Sequence, residues 1–193
     1  RNVNQNIADL QAQIAANEKG VQELMRMVEQ FSLETVQAYM FHVQKNAETA
    51  VKNVIDRLQE GSYRTPLDTG GHIQVKIIRP PSFPPKGGDV TGGRVTVDFT
   101  GTSPQQESNF NAPAAICKAA VLYVFRTLVD DNIPLNAGCL NPIDIIIPEG
   151  CLLNPIPPAA VVAGNVETSQ LIVDTLYGAL EVMAASQGSM NNF

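Results

Sequence analysis

Four polar clusters interrupt the apolar stretches of this 193-residue chain with side chains that bind rather than pack. The first is Asp98-Phe99-Thr100-Gly101-Thr102-Ser103, followed by Asn109-Phe110-Asn111-Ala112-Pro113. A strand running into a hydroxyl-rich loop and then a helix start suits an anion or an amide, though the same residues also make ordinary turns. The second is Ile133-Pro134-Leu135-Asn136-Ala137-Gly138-Cys139, where Cys139 is either a reactive thiol or a small buried side chain. The third, Ala163-Gly164-Asn165-Val166-Glu167-Thr168-Ser169-Gln170, reads as a helix start with Asn165 as N-cap. Free N–H groups there suit a phosphate or a developing oxyanion. Thr168 and Ser169 add hydroxyl donors, and Glu167 is the best-placed carboxylate for a general base, or simply a good first-turn residue. The fourth, residues 185–192, is a run of small and amide side chains including Ser186, Gln187 and Asn191. It can line a ligand or serve as a bare connector. No Walker A, GxSxG or HExxH pattern occurs, so the residues alone indicate an amide or anion site without fixing a reaction.

The elements that must position these clusters follow from hydrophobic period. Residues 1–61 read as helical. Val3, Ile7, Leu10 and Ile14 share a face, and Asn17 to Gly20 reads as a stop with Gly20 as a left-handed cap. A second helix carries Val21, Leu24, Met25, Val28 and Phe31. Ser32 fits the N-cap of a third, whose stripe runs Val36, Met40, Val43, Ala47, Val51, Val54, Leu58 before Gly61 ends it. That stripe suits core packing or an interface with a larger parent protein. From His72 the period changes to two, and 72–78 with 94–99 predict a hairpin across a Pro- and Gly-rich loop. A helix is expected over 113–129 with Ile116, Ala120, Tyr123 and Val124 on one face. A buried strand follows at 142–147 and a last helix at 166–183. Helices first, then mixed strands and helices, predict an α+β (mixed α/β) fold, divided as 1–61 and 62–193.

Bulk properties narrow the function. With 44% hydrophobic and 17% charged residues, the composition is globular. A net charge of -6 argues against a nucleic-acid partner, and no apolar run approaches the roughly 18 residues of a membrane span. Cys117, Cys139 and Cys151 form no CxxC pair, which predicts free thiols in a cytoplasmic setting. Two histidines, His42 and His72, give no basis for a histidine-built metal site, so none is expected. Both ends read as cut from a longer polypeptide.

The same clusters carry a family resemblance. Residues 98–103 with 109–113 resemble the DFTGT…NxNAP segment of the hydantoinase B/oxoprolinase family. IPLNAGC at 133–139, PEGxLLNP at 148–155, AGNVETSQ at 163–170 and AASQGSMNN at 184–192 match in the same order, as do Ala12–Asn17 and Val36–Met40 near the start. The short interval before Ala184 and the stretch 135–140 look most like the 5-oxoprolinase branch. The resemblance implies the B-like catalytic part of an ATP-dependent cyclic-amide hydrolase, for 5-oxoproline plus ATP and water to glutamate, ADP and phosphate. It implies that ATP and Mg2+ are held by a hydantoinase A-like domain or subunit, not here, and that the assembly is a homo-oligomer. Glu167, Asn165 and Cys139 are the candidate catalytic residues. Asn109, Asn111, Asn136, Thr168, Ser169, Ser186, Gln187 and Asn191 are the candidate substrate contacts. The alternatives are an N-methylhydantoinase, an acetone or acetophenone carboxylase-type subunit, or a non-catalytic docking module for the ATPase. A site requires that the clusters converge on one cleft.

Overall fold

The computed structural model describes residues 2–79, 93–184 and 186. The chain divides into two compact units, Arg1–Val43 and Gln44–Phe193.

The first unit is helical. Helix α1 (Val3–Phe31) runs 29 residues without a break, so the expected stop at Asn17–Gly20 is corrected. One glycine costs an exposed helix about 1 kcal/mol, too little to end it when no proline follows. A Lys19–Glu23 ion pair spans Gly20, and Arg26–Glu23 follows in the next turn. Asn2 caps the start by accepting from the Gln5 N–H at 3.2 Å. Val3, Ile7, Leu10 and Ile14 share a face as expected, and all four are exposed. Ser32 separates α1 from α2 (Leu33–Ile55) and caps it through the Thr35 N–H, as the sequence predicts. Of the stripe, Val36 is buried while Met40 and Val43 are exposed.

In the second unit, α2 continues with Ala47, Val51 and Ile55 buried, then a tightened turn buries Leu58. A four-stranded mixed sheet follows, in the order β1-β2-β3-β4. The hairpin of β2 (His72–Ile78) and β3 (Val95–Asp98) forms as expected, with Ile77 opposite Val97. Ile73, Val75, Ile77, Val95 and Val97 point into the core by the period-two rule. Strand β4 (Ile143–Ile146) joins β3 in parallel. Its apolar sequence predicts full burial, but as an edge strand it buries only Ile143 and leaves Ile146 exposed.

Strand β1 (Gly61–Pro66) was not anticipated. Its sequence has no apolar alternation because none of its six residues is buried, and Pro66 closes it where no ladder donor is needed. Gly61 therefore opens a strand rather than closing a helix. A Cβ there would overlap the Ala179 carbonyl, so α4 rests directly on β1. Helix α3 (Ala114–Thr127) packs on α4 (Ser169–Leu180), which covers β1 and β2. Cys117, Ala120, Val121, Val124 and Phe125 form the buried face of α3. Tyr123, expected on that face, is 53% exposed. The mixed sheet with helices packed on it is an α+β fold.

Candidate functional site

The DFTGT segment extends the sheet by side chains. Asp98 accepts from the Thr100 N–H at 2.8 Å, which bends the chain at Gly101. Thr102 accepts from the Gln74 N–H and donates to the Gln74 carbonyl, both at 3.1 Å, replacing ladder bonds beside β2. Ser103 accepts from the His72 N–H at 2.9 Å. His72 Nε2 lies 2.7 Å from the Gly101 carbonyl, which can only accept, so Nε2 carries the proton.

Asn111 is fully buried and acts as a hub. Its Oδ1 accepts from the Gln106 N–H at 2.7 Å, and its amide nitrogen donates to the carbonyls of Gln106, Ser108 and Ala160, each at 2.9 Å. Asn109 is exposed, and its carbonyl accepts from the Ala163 N–H. Thr168, 1% exposed, donates to the Phe110 carbonyl at 2.5 Å. The first and third clusters are thus joined, residue by residue, along one seam.

The third cluster departs from expectation in one respect. Residues Gly164–Thr168 form a π-helical turn that runs directly into α4, preceded by Ala163. Asn165 lies inside this turn and makes no cap bond. The Val166 and Glu167 N–H groups both bond to the Ala163 carbonyl, so the ring of free donors predicted at an Asn165 cap is not formed. The Asn111 backbone packs so closely on Gly164 that a Cβ there would overlap its carbonyl. Such bulges recur at functional sites because they re-aim side chains. Asn165 is exposed, and Glu167 is half-buried, its carboxylate in no hydrogen bond or ion pair among the described residues.

A cavity of about 660 Å³ opens between α3 and α4. Ile116, Ala119, Ala120 and Val173 supply an apolar wall, and Asn165, Ser169 and Ser186 bring the third and fourth clusters to its rim. Alanines at 119 and 120 leave the space that larger residues would fill. Asn111 and Thr168 stand behind the turn that carries Asn165. The second cluster does not line this cavity. Asn136 caps a 3-10 turn (Ala137–Leu140) by accepting from the Gly138 N–H at 2.8 Å, and Cys139 is fully buried. Burial also raises the thiols of Cys117 and Cys151 above the ordinary cysteine range. Gln187 and Asn191 lie outside the described residues.

Sequence reasoning missed Asp174 and Tyr177, both 6% exposed and both on the cavity. Asp174 accepts from the Ser186 N–H and hydroxyl, each at 3.0 Å. An acid in the apolar run Leu171-Ile172-Val173-Asp174 was the available signal, since such a residue is buried only with partners. Among the described residues, no three His, Cys, Asp or Glu side chains cluster as metal ligands, and no helix is long and apolar enough to cross a membrane.

The profile of the hydantoinase B/oxoprolinase family matches residues 1–193, the whole of the chain. The chain belongs to that family. It is 43% identical over its whole length to 5-oxoprolinase 1 of Arabidopsis thaliana and 41% identical to the 5-oxoprolinase of Saccharomyces cerevisiae. It covers 16% and 15% of those proteins, so it spans about a sixth of the relatives' length. The fold matches the crystal structure of an ATP-dependent caprolactamase from Pseudomonas jessenii with a TM-score of 0.67, at 19% identity, over 94% of this chain and 31% of that one.

Proposed function

We propose that this chain is a segment of the hydantoinase B-like part of an ATP-dependent cyclic-amide hydrolase, most specifically a 5-oxoprolinase. The observation that carries this reading is the α3–α4 cavity, whose apolar wall and amide and hydroxyl rim suit a small polar ring. The identity of about two residues in five to named 5-oxoprolinases selects the substrate. Asn165, Ser169 and Ser186 contact the ring. Glu167, on the same turn and with its carboxylate free of partners among the described residues, is the general base for the attacking water. Asn109, Asn111 and Thr168 set the wall behind them, and Asn136 and Cys139 hold the separate 3-10 turn.

ATP and Mg2+ bind a hydantoinase A-like domain or subunit, which activates the amide oxygen. The working assembly is a cytoplasmic homo-oligomer. In the complete enzyme, Glu167→Gln or Asn165→Ala is expected to reduce ring opening far more than ATP binding. Wild-type turnover in both variants overturns the assignment. A second reading, a docking module for the ATPase, is favoured by the exposed Val3, Ile7, Leu10 and Ile14 of α1. Loss of complex formation with intact chemistry on replacing these residues would select it.

A further inference from the structure

Among the described residues, Asp174 is the one charged side chain on the α3–α4 cavity. It sits in the middle of α4 and is 6% exposed. Each of its oxygens accepts one bond from Ser186, at 3.0 Å from the N–H and 3.0 Å from the hydroxyl. An ionised carboxylate offers about four lone-pair sites, so about two remain. Among the described residues, no lysine, arginine or histidine lines the cavity and Asp174 forms no ion pair. The neighbouring Tyr177 hydroxyl cannot help. The Thr127 hydroxyl donates to the Val124 carbonyl at 2.7 Å, so in the 2.8 Å contact between them Tyr177 is the donor, and its proton is spent. A buried carboxylate held by two neutral donors therefore faces a cavity with acceptor capacity left over.

We propose that Asp174 is a specificity-determining residue that receives the ring N–H of a cyclic amide bound in this cavity, with Ser186 holding the carboxylate in place. The proposal rests on the cyclic-amide reading above and names what the cavity selects within that class. Carbon atoms of the ring would lie against Ile116, Ala119, Ala120 and Val173. An N-methyl lactam presents a methyl group to the carboxylate, and a lactone presents an oxygen lone pair. Both leave a buried acceptor unmatched, which is the strongest form of discrimination a binding site has.

Asp174→Asn is the informative variant. Its amide oxygen can accept from the Ser186 N–H and its amide nitrogen can donate to the Ser186 hydroxyl, so the segment at 186 stays in place while the charge is lost. In the complete enzyme, kcat/KM is measured for 5-oxoproline, its N-methyl derivative and the corresponding lactone. Calorimetric binding of the same three compounds runs in parallel. The wild type is expected to prefer 5-oxoproline at least tenfold, and Asp174→Asn to lose most of that preference with ATP affinity unchanged. An Asp174→Asn enzyme with the wild-type preference overturns the proposal. A wild type that turns over none of the three but binds 5-oxoproline with the Asp174-dependent preference upholds this contact while refuting the hydrolase reading. Binding of the three compounds without preference, or no binding, overturns it.

Discussion

Gly164 lies so close to Asn111 that a Cβ at position 164 would overlap the Asn111 carbonyl oxygen and stand 2.7 Å from the Ala112 Cα. Gly164 opens the π turn, and the next residue, Asn165, lines the cavity. Gly164→Ala must push the turn off the Asn109–Ala112 segment, at about 2–3 kcal/mol by comparison with overpacked cores. For a unit of this size that is roughly a 5–10 °C fall in Tm. An unchanged Tm by calorimetry would show that the turn does not need the close approach.

Asn111 holds the other side of the same seam. Asn111→Leu conserves volume but strips bonds from the Gln106 N–H and three carbonyls in a fully buried position. Each orphaned buried group costs about 1–3 kcal/mol, so a loss of several kcal/mol, or failure to fold, is expected in urea unfolding. A loss under about 1 kcal/mol would contradict the hub role.

Glu48 sets an acid limit. Its carboxylate lies 2.6 Å from Lys52 Nζ and 3.2 Å from Asn141 Nδ2, and the Lys52 bond first, then Asn141 and Lys45, hold its pKa down to about 2 against partial burial. The unfolded chain thus binds the proton more readily than the folded one, so stability rises with pH through this window. The contribution is complete above about pH 4.5 and disappears as pH falls towards 2. Glu48→Gln should flatten this part of the stability profile. A variant with the wild-type slope between pH 4.5 and 2 would show that other carboxylates carry it.

The thiols give an independent check of the core. Cys117, Cys139 and Cys151 are all buried, and burial raises Cys117 and Cys151 further from the reactive thiolate. A disulfide reagent at neutral pH is expected to label none of them in the folded protein and all three after denaturation. Rapid labelling of Cys139 in the native state would return it to the list of catalytic candidates.

What the sequence disclosed depended on the scale of the physical signal. Period-two alternation marked β2 and β3 because they are buried on one face, whereas Gly61–Pro66 escaped because none of its residues is buried. Gly20 suggested a helix end, yet its roughly 1 kcal/mol penalty is shared over 29 residues and overridden. The AGNVETSQ segment was legible as a helix start, but its first glycine packs on a neighbour 53 residues earlier, Asn111 against Gly164, which no local pattern contains. Asp174 was passed over for the same reason, since its partner Ser186 lies beyond the end of its own helix.

The central claim, that the α3–α4 cavity receives the cyclic amide, is tested most directly by filling it. Ala119 is exposed on α3 and lines the cavity, so Ala119→Trp occupies the space without entering the core. In the complete enzyme, 5-oxoproline turnover should fall at least tenfold while ATP affinity and Tm stay at wild-type values. Wild-type 5-oxoproline kinetics in Ala119→Trp would contradict the claim.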